Sequence, residues 1–170
     1  MTAHRPDRVD RIQEQWASIR PDLDTSPQGV IGRLHRLAHA LTDELVAVYR
    51  EHDLTEAEFD LLASLRRSGA AGELPAGELA AHTMVTTGGL TKRVDRLEAR
   101  GLVERSTADE DARRRIVRLT PAGVAVIDAA FTAHMANERR LLDDLGAADA
   151  AALEPILRRW LARFEGSVDG

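Results

Sequence analysis

The sequence predicts a mainly α-helical protein of the α+β class, in which long helices flank a winged helix-turn-helix lobe. Three observations predict this architecture. Apolar residues recur at three- and four-residue spacing near both ends of the chain, which indicates amphipathic helices. Two helical patterns in the middle are separated only by the short segment "HTMVT". The β-branched runs "LVERS" and "RIVRLT" follow directly and predict a hairpin, which completes a winged helix.

The N-terminal part, residues 1–54, is expected to contain two helices. Apolar side chains that include Trp16 predict an extra helix over residues 7–19. Ser26, followed by a proline at the first helical position, then begins a long helix over residues 27–51. Its apolar stripe continues along the whole helix, which is long for a compact domain.

The central part, residues 55–120, is the predicted winged-helix lobe. It begins with a capping box, in which Thr55 can accept from the amide three residues on and Glu58 can reach back. A second capped helix is expected to begin at Thr86 and to end at Gly101. The hairpin that follows has a long, charged tip, "TADEDARR", and would form the wing.

The C-terminal part, residues 121–170, is expected to form two further helices, divided by Gly146. Pro155 should kink the last of them or delay its start. The apolar stripes of the N- and C-terminal helices are more extensive than the small lobe can cover. We therefore expect them to dimerise the protein by packing against a second copy of the chain.

Composition excludes several classes of protein. The chain has 170 residues and no cysteine, so disulfides, thiolate metal sites and thiol-based redox sensing are excluded. The N-terminus lacks the apolar region of a secretory signal, and no apolar run reaches the roughly 18 residues of a membrane span. We therefore expect a cytoplasmic protein without a membrane partner.

Net positive charge is concentrated in about one sixth of the chain. Residues 91–118 contain nine basic and six acidic residues, a balance of +3, although the whole chain has a net charge of −5. The remainder is therefore at −8. This distribution favours a local surface for a negatively charged partner on an otherwise self-repelling protein.

A short helix is also expected over residues 75–81, and the helix that follows it, from Thr86, is a candidate recognition helix. At about 100° per residue, Leu90, Val94 and Leu97 share the core face, whereas Lys92 and Arg96 lie on the opposite side. Its first turn contains Thr86, Thr87, Gly88 and Gly89. Free amides at a helix start favour phosphate, and glycine allows a close approach to it. The alternative is that Thr86 only caps the helix and that the basic side chains are solvated.

The wing strengthens the interpretation of this helix as a DNA-binding element. Arg113, Arg114 and Arg115 follow the charged tip and could reach phosphates or an adjacent minor groove. Asp111 is expected to pair with Arg113 and to stiffen the wing. The predicted partner is therefore double-stranded DNA.

The segment "DEDARRRIVRLTPAG" resembles the wing signature of the MarR family of bacterial transcriptional regulators. The matching residues are Asp111, Arg113, Val117, Leu119, Thr120 and Gly123. "LTEAEFDLLASL" and "LTKRVDRLEARGLVER" match as well, so that the resemblance covers residues 30–165 approximately. It implies a homodimer that binds a pseudopalindromic operator and is released by a small ligand. We expect this regulator to be a repressor.

A second set of residues resembles the urate-responsive branch of that family, the PecS or HucR type. The set comprises Trp16 on the extra helix, Asp60, Arg93 and Arg105. The resemblance implies a small anionic effector such as urate or a tricarboxylate. Two arginines could bind an anion, Trp16 could cover it and Asp60 could accept a ring N–H. The alternative is a structural Asp60–Arg93 salt bridge, with Trp16 filling the core.

Other functions receive less support from the sequence. A winged-helix module that binds protein and no small ligand remains the alternative function. The sequence contains no catalytic motif and no Gly-rich phosphate loop after a strand, so we expect neither an enzyme nor a cofactor. His35 and His39 have a spacing that can hold zinc, but without cysteine or a nearby carboxylate pair no metal site is expected.

Overall fold

The computed structural model describes residues 5–83, 87–108 and 111–165, and within them the chain forms helices and a small antiparallel sheet. This architecture confirms the predicted mainly α winged-helix class. The helices are α1 Arg8–Ile19, α2 Gln28–Glu51, α3 Glu56–Arg67, α4 Ala76–His82, α5 Thr87–Ala99, α6 Pro121–Leu145 and α7 Ala147–Glu165. The strands are β1 Glu73–Pro75, β2 Val103–Ala108 and β3 Asp111–Leu119.

The chain divides into two compact units, residues 1–44 and 45–170. In the first unit, α1 is fixed to the first half of α2 by one arginine. The Arg33 guanidinium donates from Nε to Asp7 at 2.7 Å and from Nη2 to Asp10 at 2.6 Å. Asp7 is also the N-cap of α1. The same carboxylate therefore begins one helix and binds the next.

The second unit contains a continuous apolar core, most of it in the lobe. Its fully buried side chains include Leu61, Leu62 and Leu65 of α3 and Leu97 of α5. Because these leucines recur at helical spacing, each helix presents one apolar face to the others. Tyr49, near the end of α2, joins this core and stacks on Phe59 with ring centroids 4.1 Å apart.

The sheet has three strands in the order β1-β3-β2, one more than the predicted hairpin. β1 pairs antiparallel with β3 and places Glu73 opposite Arg118, whose other neighbour in the sheet is Glu104 of β2. Arg118 donates from Nε to Glu73 at 2.6 Å. The extra strand therefore ties the base of the wing to the segment that precedes α4.

The C-terminal helices differ from the lobe in their burial. Gly146 separates α6 from α7 in a left-handed conformation, with a φ of 88°. Pro155 lies inside α7, which begins at Ala147, so the proline does not delay the start of the helix. Large apolar side chains on both helices are exposed, among them Phe131, Met135, Leu161 and Phe164. In the part of the chain that the structure covers, we find no helix with the length and apolar content to cross a bilayer.

Candidate nucleic-acid interface

Helix α5 presents two faces of opposite character. Leu90, Val94 and Leu97 are buried in the core, as the helical spacing predicted. Lys92 and Arg96 are one helical turn apart on the exposed side. The cationic side chains therefore project from a helix whose orientation is set by its apolar face.

The exposed side of α5 forms an open groove of about 500 Å³. It is lined by Gly89, Lys92, Arg93, Asp95 and Arg96. Three of these five residues carry cationic side chains. The groove thus offers several N–H donors to an anionic partner close to the helix start.

The C-terminal end of α5 is closed by a Schellman motif at the glycine that the sequence singled out. Gly101 has a φ of 68°, a left-handed conformation. Its amide donates to the carbonyl of Glu98 at 2.8 Å, and the amide of Leu102 donates to the carbonyl of Leu97 at 2.9 Å. The chain then turns directly into β2, which fixes the angle between the helix and the wing.

Arg105 of β2 holds the wing against α5. Its guanidinium donates from Nη1 to Glu98 at 2.7 Å and from Nη2 to Asp95 at 2.5 Å. Both carboxylates belong to α5, and Nη2 also donates to the carbonyl of Thr91 at 3.3 Å. The side chain of Arg105 is 26% exposed, so these ion pairs are partly shielded from solvent. The first wing strand and the candidate recognition helix therefore form one mechanical unit.

The "LTPAG" segment anchors the other end of the wing. Thr120 caps α6 by accepting from the amide of Gly123 at 3.0 Å, and its own hydroxyl donates to the carbonyl of Gly101 at 2.6 Å. A Cβ on Gly123 would lie 1.9 Å from the Leu102 carbonyl oxygen. Glycine is therefore required where α6 passes the end of α5.

The predicted DNA-binding residues are described to different extents. Thr86 lies outside the described residues. Helix α5 includes Thr87 and Gly88, and β3 includes Arg113 and Arg114, but the description does not extend beyond the backbone of these four residues. The predicted Asp111–Arg113 pair also lies outside the described part. Gly89 lines the groove with Lys92 and Arg96, and Arg115 is exposed on β3.

The predicted effector residues are divided between the two compact units of the chain. Trp16 is 45% exposed and belongs to the first unit, whereas Asp60, Arg93 and Arg105 belong to the second. Among the residues that the structure describes, no ion pair links Asp60 to Arg93, so the alternative of a structural salt bridge finds no support. Nη1 of Arg93 is buried and, within the same residues, lacks a hydrogen-bond partner.

Comparison with known proteins agrees with this arrangement. The model of the MarR family matches residues 52–114. The transcriptional regulator PecS of Dickeya dadantii is 35% identical, over 89% of this chain and 91% of PecS. The multiple antibiotic resistance protein MarR of Salmonella typhimurium is 32% identical, over 77% of this chain and 90% of that protein. The chain belongs to the MarR family.

Solved structures of MarR-family proteins have the same fold. A cysteine-to-serine mutant of Escherichia coli MarR, in complex with operator DNA, superimposes with a TM-score of 0.64 and 29% sequence identity. The match covers 82% of this chain and 99% of the E. coli chain. The fold of this MarR-family chain is therefore the fold of a relative that was crystallised on its operator.

Glu58, beside α5, makes a contact that its capping-box spacing does not predict. Glu58 forms the predicted capping box with Thr55. It also forms an ion pair with Arg96, in which Oε1 of Glu58 is 3.4 Å from Nη2 of Arg96. The spacing of a capping box gives the local contact. The second contact joins two helices that are distant in sequence, so no pattern in the sequence could have indicated it.

Among the described residues, no group of three or more potential metal ligands is present, and His35 and His39 are exposed on α2.

Proposed function

We propose that this protein is a transcriptional repressor that binds a pseudopalindromic operator as a homodimer and is released by a small anionic ligand. The single observation that best supports DNA binding is the geometry of α5. Its apolar face is buried in the lobe, and its cationic side faces solvent beside a wing that Arg105 holds in place. The complex of E. coli MarR with operator DNA supports the same interpretation.

In this proposal the first turn of α5 approaches the phosphates and the exposed side of the helix enters the major groove. The wing arginines contact the adjacent phosphates or minor groove. The residues proposed to bind DNA are Thr86, Thr87, Gly88, Gly89, Lys92, Arg96, Arg113, Arg114 and Arg115.

A homodimer is proposed because the flanking helices leave large apolar side chains in solvent. Val30 and Leu37 of α2 are more than half exposed, at 57% and 51%, and so is Leu161 of α7, at 55%. Surfaces of this kind on helices indicate a protein–protein interface. Two copies related by a two-fold axis would present two recognition helices to successive major grooves, which requires an operator with inverted half-sites.

The proposed effector site comprises Trp16, Asp60, Arg93 and Arg105. The buried, unpartnered Nη1 of Arg93 supports a ligand at this position, since a buried donor without an acceptor is costly. A carboxylate or urate oxygen would supply that acceptor. Arg93 lies on α5 itself, so a ligand that binds it would act directly on the helix proposed to read DNA.

The first test is binding to duplex DNA. Sequences would be selected from a random 30-base-pair library, and the affinity for the enriched duplex would be measured by fluorescence anisotropy at increasing salt concentration. We expect the selected duplex to contain an inverted repeat. The logarithm of the affinity should fall linearly with the logarithm of the salt concentration, because basic side chains neutralise several phosphates. Lys92→Ala and Arg96→Ala should weaken binding, whereas Arg139→Ala, which removes an exposed arginine of α6, should not. Failure to bind any duplex at low ionic strength, by a folded protein, would refute the proposal.

The second test addresses the effector. Urate and citrate would be titrated separately into the complex with the selected duplex. We expect one of these anions to release the DNA and Arg93→Ala to remove the response while DNA binding persists. If neither anion weakens the complex and Arg93→Ala changes only stability, the effector site is wrong although DNA binding stands.

A further inference from the structure

A buried carboxylate lies beneath the cationic side of α5. Glu58 is in the first turn of α3, and its side chain is only 6% exposed. Its Oε2 accepts from the Thr55 amide at 2.9 Å and from the Thr55 hydroxyl at 2.8 Å. These contacts complete the N-terminal cap of α3.

The same carboxylate faces two arginines of α5. Oε1 of Glu58 is 3.4 Å from Nη2 of Arg96, and Oε2 is 4.0 Å from Nη1 of Arg100. The two arginine side chains are 58% and 36% exposed. A negative charge inside the lobe is therefore matched by two positive charges that reach the surface.

The cap of α3 does not require this negative charge. Glutamine serves at the third position of a capping box as well as glutamate does. A buried carboxylate, in contrast, loses hydration and is tolerated only when cations or hydrogen-bond donors compensate it. The charge of Glu58 is therefore compensated by the donors of Thr55 and, beyond the cap, by the two arginines of α5.

Glu58 is ionised at neutral pH. Burial raises the pKa of this carboxyl group, but the hydrogen bonds from Thr55 and the positive charges of Arg96 and Arg100 lower it by more. The pKa consequently lies below its ordinary value. The electrostatic attraction to α5 is present throughout the physiological range of pH.

We propose that Glu58 is a positioning residue for DNA binding, whose buried carboxylate fixes the direction in which Arg96 leaves α5 before DNA arrives. This inference rests on the proposed function. The Arg96 guanidinium makes no hydrogen bond within the described part of the chain, so the attraction to Glu58 orients it without occupying its donors. The N–H groups that face away from Glu58 can bind a phosphate or a base edge.

The orientation of Arg96 should increase the affinity for DNA even though Glu58 is negatively charged. Ordering a long side chain at an interface reduces affinity, and a side chain that is already held loses less freedom on binding. Glu58 is buried and lies next to two arginines, so that DNA would meet a cluster with a net positive charge.

The test compares Glu58→Gln with Glu56→Gln on the duplex selected by the wild-type protein. Both substitutions remove one negative charge from the first turn of α3, but Glu56 is exposed. We expect Glu58→Gln to weaken binding by at least about threefold, a fraction of the discrimination that one good arginine–base contact provides. Glu56→Gln should not weaken binding. In an Arg96→Ala background, Glu58→Gln should cause no further loss, since its effect acts through Arg96.

A measurement on the unsubstituted, DNA-free protein tests the same inference without relying on a variant. NMR relaxation of the arginine Nε–H groups should show that the side chain of Arg96 moves less than that of Arg159, an exposed arginine of α7. The inference is overturned if Arg96 is as mobile as Arg159, if Glu58→Gln binds as tightly as Glu56→Gln, or if its loss persists without Arg96. Those results would leave the proposed function intact. If the wild-type protein bound no duplex, both proposals would fail.

Discussion

The winged-helix lobe and the C-terminal helix α7 differ in how far their apolar side chains are buried. In the lobe, Leu62 and Leu97 are completely buried within one chain. In α7 no residue is buried, and Leu161 and Phe164 are 55% and 65% exposed. The lobe therefore buries its apolar side chains within one chain, whereas the apolar side chains of α7 are exposed to solvent in a single chain.

The two regions also differ in the reach of their ion pairs. Arg105 joins β2 to α5, and Glu58 joins α3 to α5. In α7 the Arg158–Glu154 pair lies within a single helical turn. The lobe thus uses charge to fix one element against another, while the pair in α7 supports only its own helix. The lobe is therefore held together by contacts between its own elements, and the proposed homodimer would bury the apolar side chains of α7.

The largest effect that separates the two regions should come from truncating one leucine in each. Leu62→Ala is expected to lower the free energy of unfolding by about 2–5 kcal/mol, because it creates a cavity in a packed core. Leu161→Ala should have an effect below about 1 kcal/mol in dilute protein, with a larger effect as protein concentration rises and copies associate. Urea unfolding at two protein concentrations measures both. Equal losses that do not depend on concentration would mean that α7 is buried in the monomer.

An intermediate effect is expected from the ion pairs. Arg105→Met removes donors from Asp95 and Glu98 in a partly shielded position and should cost about 1–2 kcal/mol. Arg158→Met breaks an exposed pair in α7 and should cost no more than about 0.5 kcal/mol. Unfolding would be followed at low and high salt. At high salt the free energy of unfolding of Arg158→Met should approach that of the wild type, whereas that of Arg105→Met should stay lower. If both variants behaved alike, the shielding of Arg105 would be irrelevant to stability.

The helices were predictable because their signals are local. Thr55 and Glu58 indicated the start of α3, Gly101 indicated the end of α5, and each structural contact was found where the spacing placed it. The strand β1 was missed because it is three residues long and contains Pro75, so it has neither alternation nor length. Its conformation is determined by pairing with β3, which lies more than 40 residues away.

The candidate site was only partly predictable for the same reason. Periodicity assigned Lys92 and Arg96 to the exposed side of α5, and the structure places them there. It could not reveal the partner of a charged side chain from another element. Arg105 was assigned to an effector on resemblance alone, and the structure gives it two carboxylates of α5. An effector that used Arg105 would therefore have to compete with Asp95 and Glu98.

The smallest effect is expected in the first unit, where Arg33 binds α1 to α2. Hydrogen bonding to Arg33, followed by the amides of Asp10 and Val9, lowers the pKa of Asp7 from 3.8 to about 2. Because the folded pKa is lower than the unfolded one, this stabilisation is complete above the unfolded pKa and is lost as the pH falls from 3.8 to about 2. It should be small, since the partners are at the surface and solvent screens their charges.

The acid transition of α1 can be followed by the fluorescence of Trp16 in a Trp160→Phe background. Arg33→Met should move the transition to higher pH, because Asp7 would then titrate nearer to its unfolded pKa. Arg20→Met is the matched control. Arg20 pairs with Asp22, two residues away, and this contact does not connect α1 to α2. If the control shifted the transition as much as Arg33→Met does, the general loss of positive charge would explain it, and the Arg33 contact would not be what fixes α1.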